Sequence, residues 1–220
     1  MINRAVDCHD GESALRSRRD CDGFTLIELL TVVAIVAILA ASASGAFQRF
    51  IVGARITEGA STFRSALELA RSEAAMRGVR VGVCRSANAN DTGATCSQAA
   101  FGNFAANDWS AGWIVYAKGA PNGIPNTADG FEAGDTLLRR QAPLASAGTA
   151  SRLMIWAPAA GVVVYNWNGM RVAGPVGMFS LDFGSVNGSS PVPLASDLAR
   201  CMAINIAGRI DLTAPVNGGC

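Results

Sequence analysis

Polar and charged through residue 22, the chain turns abruptly apolar after Gly23: Phe24-Thr25-Leu26-Ile27-Glu28-Leu29-Leu30-Thr31-Val32-Val33-Ala34-Ile35-Val36-Ala37-Ile38-Leu39-Ala40. Continued through small residues to Phe47, this run is long enough to cross a hydrocarbon core as a helix, which takes roughly 20 residues. Arg16, Arg18 and Arg19 precede it, and positive charge on that flank predicts a cytoplasmic N-terminus. One carboxylate, Glu28, breaks the apolar stretch. An acid at the centre of a membrane helix costs about 2.5–3.5 kcal/mol on insertion scales, less near an end, so the position asks for a partner. A secretory signal peptide cleaved at Ala41-Ser42-Ala43 would account for the arginines and the apolar run. It leaves Glu28 unexplained, together with the helical pattern that continues past that cut.

Beyond Ala46 the helical period persists with a polar face. Phe47, Phe50, Ile51 and Ala54 recur at helical spacing, followed by Phe63, Ala66, Leu67, Ala70 and Ala74. Arg55, Glu58, Arg64, Glu68, Arg71 and Glu73 fill the remaining positions and read as a solvated face with weak pairs at three- and four-residue spacing. Gly45, Gly53 and Gly59 each weaken the helix by about 0.8–1 kcal/mol, and Gly45 marks a local softening. Gly78 is the expected stop.

After Gly78 the pattern is that of strands. Val79–Val83 alternates, and Trp113–Tyr116, Leu137-Leu138, Leu153–Trp156 and Val162–Tyr165 follow. Asn168-Gly169 predicts a hairpin turn before Met170-Arg171-Val172. Phe179–Phe183 alternates, and Ala203–Ile206 meets Arg209–Leu212 across Ala207-Gly208. One long helix followed by an antiparallel β domain is an α+β architecture.

Two features exclude much chemistry. The only histidine is His9, in a polar N-terminal stretch far from any core-like segment, which disfavours a nucleophile relay or a His-bearing zinc site. A net charge of +1 gives no global attraction to nucleic acid or acidic lipid. The expectation is a non-enzyme, without cofactor, metal or catalytic residues.

Gly23-Phe24-Thr25-Leu26-Ile27-Glu28-Leu29-Leu30 resembles the processing site of type IV prepilins and type II secretion pseudopilins, although Asp22 stands where those leaders carry Lys or Arg. The resemblance implies cleavage between Gly23 and Phe24 by a prepilin peptidase and N-methylation of Phe24. It also implies that Glu28 pairs with the N-terminal ammonium of a neighbouring subunit, an attraction strengthened by the low dielectric of a filament core. Trp109-Ser110-Ala111-Gly112-Trp113, Trp167-Asn168-Gly169-Met170-Arg171 and Ala207-Gly208-Arg209-Ile210 are similar to strands and hairpins of the GspH/FimT family of minor pilins and pseudopilins. The implied fold is type IV pilin-like: a leader at 1–23, a transmembrane and filament-core helix at 24–46, its amphipathic continuation at 47–78, and a β domain at 79–220. The implied function is a minor pilin that primes or tips a type IV pilus. The alternative is a type II secretion pseudopilin of the H type. Expected partners are other pilins or pseudopilins, the peptidase, and the inner membrane before assembly, with the β domain in the periplasm.

Cys8 and Cys21 lie in the leader; Cys84, Cys96, Cys201 and Cys220 remain, an even number in a domain read as exported. Four cysteines allow three pairings. The expected one is local, Cys84 with Cys96 and Cys201 with Cys220, stapling a Gly/Asn/Ser-rich loop and the tail. No C-x-x-C pair favours zinc over disulfides. Asp129, Glu132 and Asp135 crowd a Gly/Pro/Asn loop without the ligand order of an EF-hand, and they read as a hydrated surface loop rather than a calcium site.

DNA is a further candidate partner, because some members of the resembled family serve DNA uptake. Arg139, Arg140, Arg152, Arg171, Arg200 and Arg209, with Trp156, Tyr165 and Trp167, supply the basic and aromatic groups that single strands need. Arg171 and Arg209 are the named candidates. The DNA-binding members carry a G-R-x-R hairpin, whereas Gly208-Arg209-Ile210-Asp211 puts an acid at the second arginine.

Overall fold

The computed structural model describes residues 24–102, 104–119, 129–144, 151–157, 161–175, 178–187, 190–193, 197–216 and 220. The leader, with the expected cut at Gly23, lies outside them, as does most of the loop that begins at Pro121. The chain divides into two units, residues 1–45 and 46–220.

Helix α1 is assigned over Leu26–Arg77. Thr25 starts it: its hydroxyl accepts the Glu28 N–H at 3.3 Å, and its carbonyl accepts the Leu29 N–H at 3.2 Å. A threonine followed three residues later by a glutamate is the sequence form of a capping box. Gly78 stops the helix, its N–H donating to Ala74 O at 3.0 Å. Among the described residues no helix is long and apolar enough to cross a membrane; side chains are described as far as Ala41 and again from Phe47.

In the second unit, α1 buries Ile56, Ala60, Phe63, Ala66, Leu67, Ala70 and Ala74, a stripe at three- and four-residue spacing. Burial begins at Ile56, while Phe47 and Phe50 stay exposed although they continue the same apolar pattern. Gly59 has a packing reason for lacking a side chain, since a Cβ there would lie 2.2 Å from Leu153 Cδ2.

The stripe faces two antiparallel sheets. The first, in the order β3-β2-β1-β5-β6, is built from β1 (Val81–Arg85), β2 (Trp113–Ala117), β3 (Thr136–Gln141), β5 (Val162–Tyr165) and β6 (Arg171–Ala173). In the second, β10 (Ile210–Thr213), β9 (Arg200–Ile204), β7 (Met178–Asn187) and β4 (Ser151–Trp156) follow one another, and β8 (Ser190–Pro193) pairs with β7. In register, Val83 lies between Val115 and Val163.

Every residue of β1, β2 and β5 is buried, so the centre of this sheet is covered on both faces. Val81, Val83, Val115 and Val163 join the helix-side core. Cys84, Ile114, Tyr116, Val162 and Val164 form a second cluster with Cys96, Phe131 and Leu137. The helix-side core centres on Phe63, whose ring meets Trp113 and Phe179 at 5.1 Å and Trp109 at 5.4 Å, all edge-on. Such contacts contribute about 0.5–1.5 kcal/mol each beyond burial.

Two turns differ in detail from the sequence expectation. The β5–β6 turn opens at Asn166 rather than Asn168: Asn166 N–H donates to Met170 O, and Asn166 Oδ1 accepts from the backbone of Asn168 and Met170 at 3.1 and 3.0 Å. Gly169 holds the left-handed position of this longer loop. The last hairpin has its strands at Arg200–Ile204 and Ile210–Thr213, shifted outward because Asn205–Arg209 closes the turn.

Candidate assembly site

The first unit offers one chemical feature among its described residues. Phe24 is 80% exposed, and the Glu28 carboxylate, also exposed, has no partner among the described residues. The Thr25 hydroxyl already satisfies the Glu28 backbone N–H, so capping leaves the carboxylate available to another molecule.

In the second unit, the exposed part of α1 carries a shallow groove lined by Phe50, Gly53, Ala54, Thr57 and Leu198, with Arg49 and Arg200 at its margin. Arg200 is not free for phosphate, because its guanidinium donates to the carbonyls of Leu198 and Ala199.

Further along the helix, Arg71 departs from the expected surface pair with Glu68. Arg64 takes Glu68 at 2.7 Å, while Arg71 Nε donates to Gly169 O at 3.1 Å and Nη2 to Ala207 O at 3.2 Å. One helical arginine thereby holds the turns of two hairpins that come from different sheets. The turns also hold each other, through Arg171 N–H to Ile206 O at 2.9 Å. Gly208 sits between them at φ +76°, and a Cβ there would lie 2.1 Å from Gly169 O. Around this junction Trp167, Met170 and Ile206 remain exposed. Tyr165 is buried beneath it, and burial raises its phenol pKa against the opposing pull of Arg71 and Arg171.

The Trp109–Trp113 segment is ordered by charge as well as by packing. Asp108 caps a 3-10 turn at Trp109–Ala111, its Oδ1 accepting from Ser110 N–H at 3.0 Å and Ser110 Oγ–H at 2.7 Å. Its Oδ2 pairs with Arg152 Nη2 at 2.9 Å, both side chains being 2% exposed. The Arg152 guanidinium also lies 3.9 Å from the Phe104 ring centroid. Gly112 has φ +113°, and a Cβ there would reach 2.8 Å from Gln141 O, which explains the glycine between the tryptophans. Arg85, wholly buried, donates to the carbonyls of Asp108, Ser97 and Ala99. Burial lowers its pKa, and the charge of Asp108 opposes that.

A model of the family described as type II transport protein GspH matches residues 59–208, from the buried helix stripe through the Gly208 turn. The chain belongs to the GspH family. A model of the prokaryotic N-terminal methylation motif matches residues 18–44. Two crystal structures of the type IV minor pilin FimU of Pseudomonas aeruginosa PAO1 are similar to it. One is 19% identical, covering 71% of this chain and 91% of that one, with a TM-score of 0.41. The other is 18% identical, covering 76% and 90%, also with a TM-score of 0.41. No curated protein matches. The end of α1 packed on antiparallel sheets is the α+β architecture expected, and the family is that of type II transport protein GspH.

In this GspH-family chain most of the arginines considered for DNA already have partners. Arg152 is spent on Asp108 inside the core, and Arg209 bonds Asp211 at 2.8 Å. Arg171 is half-buried and donates to Pro175 O, and Arg140 donates to Asp91 O. Arg139 is exposed on β3; Trp156 is half-buried and Trp167 exposed. The disulfides join Cys84 to Cys96 and Cys201 to Cys220. The first pins the covering loop onto β1, and the second ties the end of the chain to β9.

The acidic loop departs from a hydrated surface. Asp129 and Glu132 are half-exposed, but the Asp135 side chain is 1% exposed and bonded to Lys118, itself 2% exposed. Among the described residues no group of side chains is arranged to hold a metal ion. Arg71, Asp108 and Lys118 are the residues that sequence reasoning passed over. Lys118 carried a signal as the only lysine in the chain.

Proposed function

We propose that the chain is a minor pilin of a type IV pilus, cut between Gly23 and Phe24 by a prepilin peptidase and N-methylated on Phe24. Residues 24–46 anchor it in the inner membrane with the second unit in the periplasm. From there it enters the filament as a priming or tip subunit. The supporting observation is the exposed Phe24 beside a Glu28 carboxylate that has no partner among the described residues. Cleavage would create an ammonium at Phe24, and the Glu28 of a neighbour is the complementary charge. In an apolar helix bundle that attraction is many times stronger than in water. The exposed Phe47 and Phe50 give the same helix an apolar face for neighbouring helices. Arg209 bonded to Asp211 and Arg171 tied to Pro175 O weigh against DNA as a partner.

Glu28→Ala tests this reading. Cleavage and membrane insertion continue, since insertion is easier without the charge, while incorporation into filaments falls because the ammonium loses its counter-ion. Sheared filaments that hold normal amounts of the variant refute it. The GspH match favours a second reading, an H-type pseudopilin of a type II secretion system. Deleting the gene separates the two: a pilus subunit costs surface filaments, a pseudopilin costs exported proteins.

A further inference from the structure

Lys118 follows β2, its N–H donating to Arg80 O at 2.8 Å, and its side chain turns into the protein under the 129–135 segment. The ammonium donates to Gly130 O at 2.7 Å, Asp135 Oδ2 at 2.8 Å and Glu132 Oε2 at 3.4 Å. An ammonium has three N–H donors, and three acceptors meet them. Asp135 is shared further: Oδ1 accepts Gly119 N–H at 2.9 Å, and Oδ2 accepts Glu132 N–H at 2.8 Å. Tyr116 closes the other side, its hydroxyl donating to Asp129 O and its ring meeting Phe131 at 5.4 Å. Burial, then Asp135, Asp129 and Glu132 in turn, raise the pKa of that phenol, so it remains a donor.

A backbone carbonyl and carboxylates from one short segment, converging on a buried point, make the kind of oxygen shell that a divalent cation takes. Here a compact, tethered cation of the chain itself occupies the centre. The remaining basic residues apart from His9 are arginines, whose planar fork presents donors along its edges instead of from a single point. Exchanging arginine for lysine at this one place fits a site that needs a point charge.

We propose that Lys118 is the internal cation of this loop, replacing a bound metal ion, so that the 129–135 segment and the apolar cluster under it are ordered without calcium. The consequence is an outer face of the first sheet that keeps its shape whatever the divalent-ion content of its surroundings. Assembly through that face would not be gated by calcium.

Thermal unfolding of the full-length chain in detergent micelles tests the proposal, read by tyrosine fluorescence and circular dichroism. The wild-type chain is expected to show the same midpoint in millimolar calcium chloride and in excess EDTA. Calcium raising that midpoint, or EDTA lowering it, overturns the proposal. Lys118→Met leaves Asp135 buried without its counter-charge and lowers the midpoint by on the order of 10 °C. A second substitution separates lost charge from lost packing: Asp135→Asn added to Lys118→Met removes the stranded charge and recovers a large part of the loss. A double variant that melts as low as the single one shows that Lys118 acts through its stem, which also overturns the internal-cation assignment.

Discussion

Replacing Asp108 by Asn should separate the two tasks of that side chain. The amide keeps an oxygen for Ser110 N–H and Oγ–H, so the cap of the 3-10 turn survives. Its NH2 group then faces Arg152 Nη2, donor against donor, where a carboxylate stood at 2.9 Å. Both side chains are 2% exposed, so water does not rescue the guanidinium. Removing one member of a buried ion pair costs about 3–5 kcal/mol. Asp108→Ala loses the cap as well, a further cost of about 1 kcal/mol. Against a total stability of about 5–15 kcal/mol, either loss is a large share. Urea unfolding followed by tryptophan fluorescence reads it well, because Trp109 adjoins the site and both Trp109 and Trp113 are buried. Adding Arg152→Met to Asp108→Asn removes the stranded charge and should return at least about 1 kcal/mol, within the range of coupling between neighbours. A loss below about 1 kcal/mol for Asp108→Asn, or a double variant less stable than the single one, refutes the stranded-charge account.

Arg71→Met keeps the helix stem but removes the donors to Gly169 O and Ala207 O; hydrogen exchange at both turns should quicken while overall stability falls by about 1–3 kcal/mol. Exchange confined to one turn would mean that the two are not held together. Breaking the Cys201–Cys220 bond by Cys220→Ser should fray the tail and lower stability by about 3 kcal/mol in the chain-entropy account, the closed loop spanning a separation of 19 residues. Non-reducing peptide maps of the wild type should contain the Cys84–Cys96 and Cys201–Cys220 peptides, and a Cys84–Cys201 peptide would contradict that pairing.

What could be read from the sequence was what neighbours in sequence decide. Gly78 stops the helix through a bond that spans four residues, and the Phe63 stripe repeats at a fixed period. The Arg71 contacts span 98 and 136 residues, and no local pattern distinguishes that arginine from Arg64, which pairs within its own turn. Arg152 looked like a basic group for phosphate because Asp108, its partner, lies in another element. Asp135 looked hydrated because its loop composition is polar, whereas Lys118, arriving just after β2, pairs with it inside the protein. Phe47 and Phe50 show the reverse: their period is that of a core face, yet among the described residues nothing buries them.

The Arg71 contacts have a property that side-chain pairs lack. Both acceptors are main-chain oxygens, at Gly169 and Ala207, so the latch recognises the path of the backbone and not its lettering. Provided Gly169 and Gly208 stay, Trp167, Asn168 and Ile206 can be exchanged without loosening the corner they decorate. The exposed residues of this corner can therefore vary while the scaffold beneath them stays as it is.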